Sequence, residues 1–211
     1  MKVLSIQVGR PQQLTWEDAP VLTSIVKHSV TGPVRVGTLN LAGDEQSDLT
    51  VHGGAEKAVY AYPSEHYPYW REQLPEIDFP PGAFGENLTT EGLIETALAI
   101  GDQLHIGTAQ FVVTQPRLPC YKLGVRFQRR DMVKRFFKSD RMGFYLRVVR
   151  PGTIAAGDAI ELRPTTEPRL SVADVVHLYT TERANRDMLR RASQLTALPA
   201  HWRERFRAQL G

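Results

Sequence analysis

The sequence predicts a mainly β fold with some α-helix: a barrel-like domain over residues 1–167, then a small three-helix appendage over residues 168–211. Short alternating runs separated by turn residues fill the first part of the chain. Two Gly-Asp turns, at Gly101 and Gly157, each precede an alternating strand, as at the corners of a barrel or a folded-over sheet. After Pro168, glycine is absent until the last residue and the pattern becomes helical.

The individual elements follow from periodicity and from helix start signals. Alternating runs predict strands over residues 1–6, 21–26, 34–36, 58–62, 103–106, 110–114, 144–149 and 159–162. Ser64 is a suitable N-cap for a helix that ends near Gln73. The apolar spacing between Leu123 and Lys138 predicts one amphipathic helix with its cations outside. In the appendage, helices are expected over residues 171–179, 185–192 and 199–210, the first opened by a capping box of Ser171 and Asp174.

Composition restricts the class of protein. A chain of 211 residues is long enough to bury a full core. Its single cysteine excludes an intramolecular disulfide and fits a reducing compartment. The first apolar run is too short for a signal peptide, and no stretch is long enough to span a bilayer. We therefore expect a cytoplasmic protein that does not associate with a membrane.

The charge is unevenly distributed along the chain. Residues 117–150 contain eleven Lys or Arg and two Asp, a charge of +9, so the remainder carries −6 of the net +3. Clustered cations indicate an anionic partner, although a solvated helix face explains Lys134, Arg135 and Lys138 better. No nucleic-acid-binding motif is present in the sequence, and the basic stretch does not continue through it, which argues against nucleic acid as the partner.

The segment Thr114–Lys122 contains the only cysteine, Cys120, between Arg117 and Lys122. Nearby positive charge favours a thiolate, the form that attacks electrophiles and binds soft metals. Two prolines in the same segment make the loop rigid. The alternative is that Cys120 is a small buried hydrophobic residue, as free cysteines usually are.

Two further loops carry candidate binding groups. Gly53 and Gly54 let a ligand approach the backbone closely, and the flanking His52 and Lys57 offer a hydrogen-bond donor and a positive charge to an anion. Glu86 and Asn87 follow Gly85 and provide an acceptor and an amide. Each loop taken alone is equally consistent with an ordinary turn.

Taken together and in this order, the segments 52–59, 84–88 and 115–123 resemble the MOSC domain family, named after the C-terminal domain of molybdenum cofactor sulfurases. The length, the tyrosine-rich segment 60–67 and the helical tail are similar to its stand-alone YiiM-type branch, associated with resistance to 6-N-hydroxylaminopurine. The resemblance implies a MOSC β-barrel-like fold that binds the molybdenum cofactor (molybdopterin), with Cys120 as metal ligand. It also places other side chains around the cofactor, namely Lys27, His52, Lys57, Glu86, Asn87, Arg117 and Tyr121.

The resemblance further implies an oxidoreductase that reduces N-hydroxylated compounds to amines and so detoxifies base analogues. Cys120, His52 and Glu86 are the implied catalytic residues, with either His52 or Glu86 delivering protons. The sequence has no flavin or nicotinamide fingerprint, so a separate flavoprotein reductase is the expected electron donor. Two roles stay open for the helical tail: docking of this reductase and formation of a homodimer.

Two other functions fit the same residues. A reactive Cys120 could carry a persulfide in sulfur transfer, as in the cofactor sulfurases. The chain could instead store or deliver the molybdenum cofactor without catalysis. Sulfur transfer predicts no stoichiometric molybdenum, whereas the reductase and the carrier both predict it and differ in reductase activity.

Overall fold

The computed structural model describes residues 1–48 and 53–211. The strands are β1 (Lys2–Val8), β2 (Gln12–Trp16), β3 (Ala19–Thr23), β4 (His28–Val30), β5 (Val34–Val36), β6 (Val59–Pro63), β7 (Leu88–Glu91), β8 (Gln103–Ile106), β9 (Ala109–Pro116), β10 (Phe144–Arg150), β11 (Gly152–Ile154) and β12 (Ile160–Arg163). The helices are α1 (Tyr67–Gln73), α2 (Tyr121–Phe127), α3 (Met132–Ser139), α4 (Val172–Thr180), α5 (Arg186–Gln194) and α6 (Ala200–Ala208). Within these ranges no helix combines the length and the apolar character needed to cross a membrane. The predicted sheet-dominated fold with a helical C-terminal part is confirmed.

The main sheet has eight strands in the order β12-β8-β9-β10-β6-β7-β1-β4. Its neighbours are antiparallel except β6 and β7, which are parallel. The start of β1 reaches the residues before β12, where Val3 N donates to Asp158 O at 2.9 Å. The end strands β12 and β4 are not paired with each other in the described chain. The barrel-like domain is therefore a curled open sheet rather than a closed barrel.

Both predicted Gly-Asp turns are present. Gly101 and Gly157 have φ values of 90° and 94°, a region that glycine enters without a steric penalty. Each turn leads into its strand, β8 or β12, and these two strands pair with each other. The two turns therefore lie at one edge of the main sheet, where β12 is the outermost strand and β8 is its neighbour.

Strands β6 and β9 lie in the sheet interior and are buried almost throughout. Alternate side chains of a strand point to opposite faces. In β6, Val59 and Ala61 join the main core, whereas Tyr60 and Tyr62 join an aromatic cluster with Phe84. The rings of Tyr62 and Phe84 lie 4.6 Å apart. The sheet is thus covered on both sides at the point where β9 leads into residues 117–120, which we call the cysteine loop.

The three C-terminal helices follow the prediction closely. Ser171 and Asp174 form a complete capping box at the start of α4, and the Asn185 side chain accepts from Met188 N at the start of α5. Trp202 and Phe206 of α6 belong to the same core cluster as the sheet. The helices are therefore packed on the sheet through a shared core, and the domain boundary after residue 167 stays a prediction.

The prediction of a single helix between Leu123 and Lys138 is wrong, because the chain forms two separate helices there, α2 and α3. Gln128 adopts a left-handed conformation with φ 52° and ends α2. Asp131 then accepts from both Arg129, at 3.1 Å, and Arg135, and these partners lower the pKa of Asp131 to about 2. The continuous apolar pattern is misleading because both helices bury residues against neighbouring structure.

Glu86 anchors the loop that precedes β7. Its fully buried carboxylate accepts from Gly82 N at 2.7 Å, from Phe84 N at 3.1 Å and from the Thr89 hydroxyl at 3.2 Å. The Tyr67 hydroxyl donates to it as well. Burial raises the pKa of Glu86, while Tyr67 and the backbone donors act in the opposite direction. The acceptor capacity of this carboxylate is used within the fold.

We predict that Glu86→Gln lowers the free energy of unfolding by about 1–3 kcal/mol, because an amide nitrogen would face a buried donor that now meets a carboxylate oxygen. Urea denaturation measures the change. Glu91→Gln is the matched control, since Glu91 forms an exposed ion pair with Lys2 and such pairs contribute little. Equal stability of the two variants would contradict the anchoring role.

Candidate functional site

One cavity opens where β6, the loop before β7 and the loop after β9 converge. We call it the first cavity. It encloses about 100 Å³. Its walls are formed by polar and aromatic side chains, among them Lys27, Asp44, Ser47, Lys57, Tyr60, Asn87, Arg117, Cys120, Lys122 and Tyr145.

The cysteine loop is held by the two elements that flank it. Buried strand β9 ends at Pro116, and Arg117 N then donates to Gly143 O at 3.2 Å. Cys120 has an extended backbone, with φ −119°, and is the residue before α2. Its side chain is partly exposed and lines the first cavity. The interpretation of Cys120 as an ordinary core residue is therefore not supported.

Arg117 is a buried cation at this cavity. It is 5% exposed, and its guanidinium lies over the rings of Tyr60, at 5.5 Å, and Phe136, at 5.1 Å. Burial opposes its charge, but the electrostatic influence of Tyr60, Tyr145 and Cys120 raises its pKa. Its Nη1 atom has no hydrogen-bond partner among the described residues. A buried, charged donor without a partner fits an anionic ligand.

Two lysines add to the positive charge. Lys57 ends a short 3-10 turn before β6, and burial lowers its pKa while the nearby Cys120 acts to raise it. Lys122 is 7% exposed, and its Nζ donates to the Ser47 hydroxyl at 3.0 Å. Cys120 therefore lies among three cations, which favours an anionic sulfur and an anionic ligand together.

A separate polar network forms one wall of the cavity. Lys27 forms an ion pair with Asp44, and both side chains are almost completely buried. Asn87 Nδ2 donates to the other oxygen of Asp44 at 2.9 Å, and Gly9 N donates to Asp44 Oδ1 at 2.8 Å. Asn87 Oδ1 in turn accepts from Tyr60 N at 3.0 Å. Asp44 thus neutralises Lys27 and fixes the orientation of Asn87.

The structure brings together five of the residues singled out from the sequence: Lys27, Lys57, Asn87, Arg117 and Cys120. It does not place Glu86 or Tyr121 at the first cavity. Glu86 lies inside the preceding loop, and Tyr121 is 58% exposed on α2. The remaining predicted residue, His52, lies outside the described residues.

Asp44, Lys122 and Tyr145 were not among the predicted site residues. Lys122 had a local signal, because it lies two residues after Cys120 in a basic segment. No sequence signal marked Asp44 or Tyr145 as a site residue, because polar turns and tyrosines in strands are common in proteins. Only the three-dimensional fold places them at the first cavity with the cysteine.

Comparisons with known proteins agree with this architecture. The model of the MOSC domain matches residues 48–161, and the model of the YiiM-like, 3-alpha helix domain matches residues 170–210. YflK of Bacillus subtilis is 37% identical over 204 residues, which are 97% of this chain and 92% of that protein. The crystal structure of YiiM from Geobacillus stearothermophilus superposes with a TM-score of 0.83 at 38% identity and covers 100% of this chain and 99% of that one.

A third relative is named for an activity. A protein of Gibberella moniliformis named "Reductase" is 35% identical over 178 residues, which are 83% of this chain but 32% of that longer protein. The loop that carries Cys120 and strands β6 to β11 lie within the range matched by the MOSC domain, and helices α4 to α6 lie within the range matched by the YiiM-like domain. This chain belongs to the MOSC domain family and ends in a YiiM-like three-helix domain.

Proposed function

We propose that this chain binds the molybdenum cofactor at the first cavity and reduces N-hydroxylated compounds, such as 6-N-hydroxylaminopurine, to amines. The observation that carries the proposal is the position of Cys120 beside Arg117, a buried cation whose Nη1 has no partner among the described residues. Family membership supports it, since MOSC domains are generally associated with this cofactor. The name of the Gibberella relative supports the reaction class.

The donor set at the first cavity fits such a cofactor. A thiolate is a suitable ligand for a soft metal centre, and Cys120 is the residue for that role. The pterin of this cofactor carries a phosphate. Arg117 and Lys122 offer charge and hydrogen bonds to that phosphate, and Lys57 adds a third cation. The first cavity, at about 100 Å³, is open to solvent on one side, and a pterin would extend out of it. Bound there, the cofactor would supply the two-electron redox change.

The residues of this chain would orient the substrate and provide protons. Burial raises the pKa of Tyr145, with Arg117 acting against the rise, so its hydroxyl stays protonated at neutral pH. Tyr145 lines the first cavity, whereas the carboxylate of Glu86 accepts hydrogen bonds inside the loop before β7. Tyr145 Oη is therefore a better-placed proton donor than Glu86, and His52 stays a candidate from the sequence alone. A flavoprotein reductase is the proposed electron donor.

We predict that Cys120→Ser abolishes reduction of 6-N-hydroxylaminopurine while the protein stays folded, because a hydroxyl is a poor ligand for a soft metal. The assay uses protein made in a host that synthesises the pterin cofactor, with a flavoprotein reductase present. Tyr121→Phe is the control and should retain activity, since Tyr121 is exposed beside the loop. Full activity of the serine variant would refute the metal-ligand role.

We predict that Lys57→Ala and Arg117→Ala each lower the affinity for the cofactor by about tenfold, through loss of a charged hydrogen bond to phosphate. Molybdenum per chain after gel filtration is the measurement, and the wild type should contain about one equivalent, because the sequence has a single cysteine to serve as the metal ligand. Lys134→Ala removes an exposed cation of α3 and is the control. Unchanged molybdenum in both variants would remove these residues from the site.

The same metal analysis separates the alternatives. A sulfur-transfer protein would contain no stoichiometric molybdenum, whereas a reductase and a cofactor carrier both would. Reductase activity of the loaded protein then separates the enzyme from the carrier.

A further inference from the structure

A second cavity of about 370 Å³ lies between the C-terminal helices and the end of β9. Its lining includes Pro116 and Gln115 from β9, Tyr179 from α4, and His201, Trp202 and Arg205 from α6. This volume lies within the range of about 300–1,000 Å³ that is typical of small-molecule sites. The helical appendage thus forms one complete side of a space large enough for a ligand.

The second cavity adjoins the first. Lys57, Leu118 and Tyr145 line both of them. A ligand in the second cavity therefore has one end beside the residues that surround Cys120. Because the two cavities adjoin, the second cavity is within reach of the part of a substrate that does not react.

The walls of the second cavity are suited to a flat apolar group. Pro116 and Leu118 are apolar, and Tyr145, Tyr179 and Trp202 are aromatic. Trp202 is held in place, because its Nε1 donates to Gln115 Oε1 at 2.8 Å in the core. Fixed aromatic walls bind planar rings at a low cost in conformational entropy.

The rim of the second cavity carries positive charge. The guanidinium of Arg205 lies over the ring of Tyr179 at 4.4 Å, which orients it without an ion pair. Within the described ranges no carboxylate lies within ion-pairing distance of Arg205. His201, beside it, has its pKa lowered by burial and then by Lys57, with Glu204 acting in the opposite direction. The lowered pKa keeps His201 from adding to the positive charge, so an anionic group on the ligand would be matched by Arg205.

We propose that the second cavity binds a planar aromatic substrate that carries an anionic group, such as a nucleoside monophosphate, with the anion at Arg205 and the ring directed toward the first cavity. This rests on the proposed function for the identity of the reacting group. It gives the C-terminal helices a role in substrate selection: an N-hydroxylated base would be reduced more efficiently as its monophosphate than as the free base.

The test compares binding of adenosine 5′-monophosphate and adenosine to the wild type and to Arg205→Gln by isothermal titration calorimetry, with cofactor-loaded protein. We expect the wild type to prefer the monophosphate by roughly tenfold, and the variant to lose that preference while still binding adenosine. Arg190→Gln, which removes an exposed arginine of α5 away from the cavity, should behave as the wild type. These binding measurements do not depend on reduction, so they remain informative if the proposed activity fails.

Three outcomes would overturn the proposal. Equal affinity of the wild type for adenosine and its monophosphate would exclude an anion subsite, and a preference unchanged in Arg205→Gln would place that subsite elsewhere. The anion at Arg205 could also be the phosphate of the cofactor rather than of the substrate. Loss of molybdenum from Arg205→Gln, with retention in Arg190→Gln, would establish that source and refute a substrate role.

Discussion

The buried guanidinium of Arg117 is the constraint on which the site depends. A charge taken out of water is costly unless it is paired, and neighbouring aromatic rings recover only part of that cost. Arg117 lies over Tyr60 and Phe136, yet one of its nitrogens has no partner among the described residues. The fold therefore keeps a buried cation beside Cys120 with one donor atom, Nη1, available to a bound anion.

The surrounding structure keeps that charge in place. The interior position of β9 fixes the start of the cysteine loop, and the Arg117 backbone is tied to the residue before β10. On the opposite wall, Asp44 pairs with Lys27 and holds Asn87, so that cation is neutralised internally. The cationic character of the first cavity consequently comes from the side that carries the cysteine loop and Lys57.

Local signals in the sequence predicted a large part of this arrangement. Three features could be predicted because each depends on residues that are close together in the chain. They are the Gly-Asp turns, the capping box at Ser171 and the cations around Cys120. Glu86 and Asn87 illustrate what the sequence could not predict. Neighbouring residues project to different sides, and the sequence does not reveal which side faces the cavity. Asn87 faces it and Glu86 faces the preceding loop. The break at Gln128 and the second cavity depend on tertiary contacts that no local pattern encodes.

X-ray absorption at the molybdenum edge directly tests the proposed ligation of molybdenum by Cys120. The cofactor-loaded wild type should show one more sulfur neighbour at the metal than a loaded Cys120→Ser variant. An identical sulfur coordination number in the two proteins would contradict the account, because the metal would then be held without this side chain.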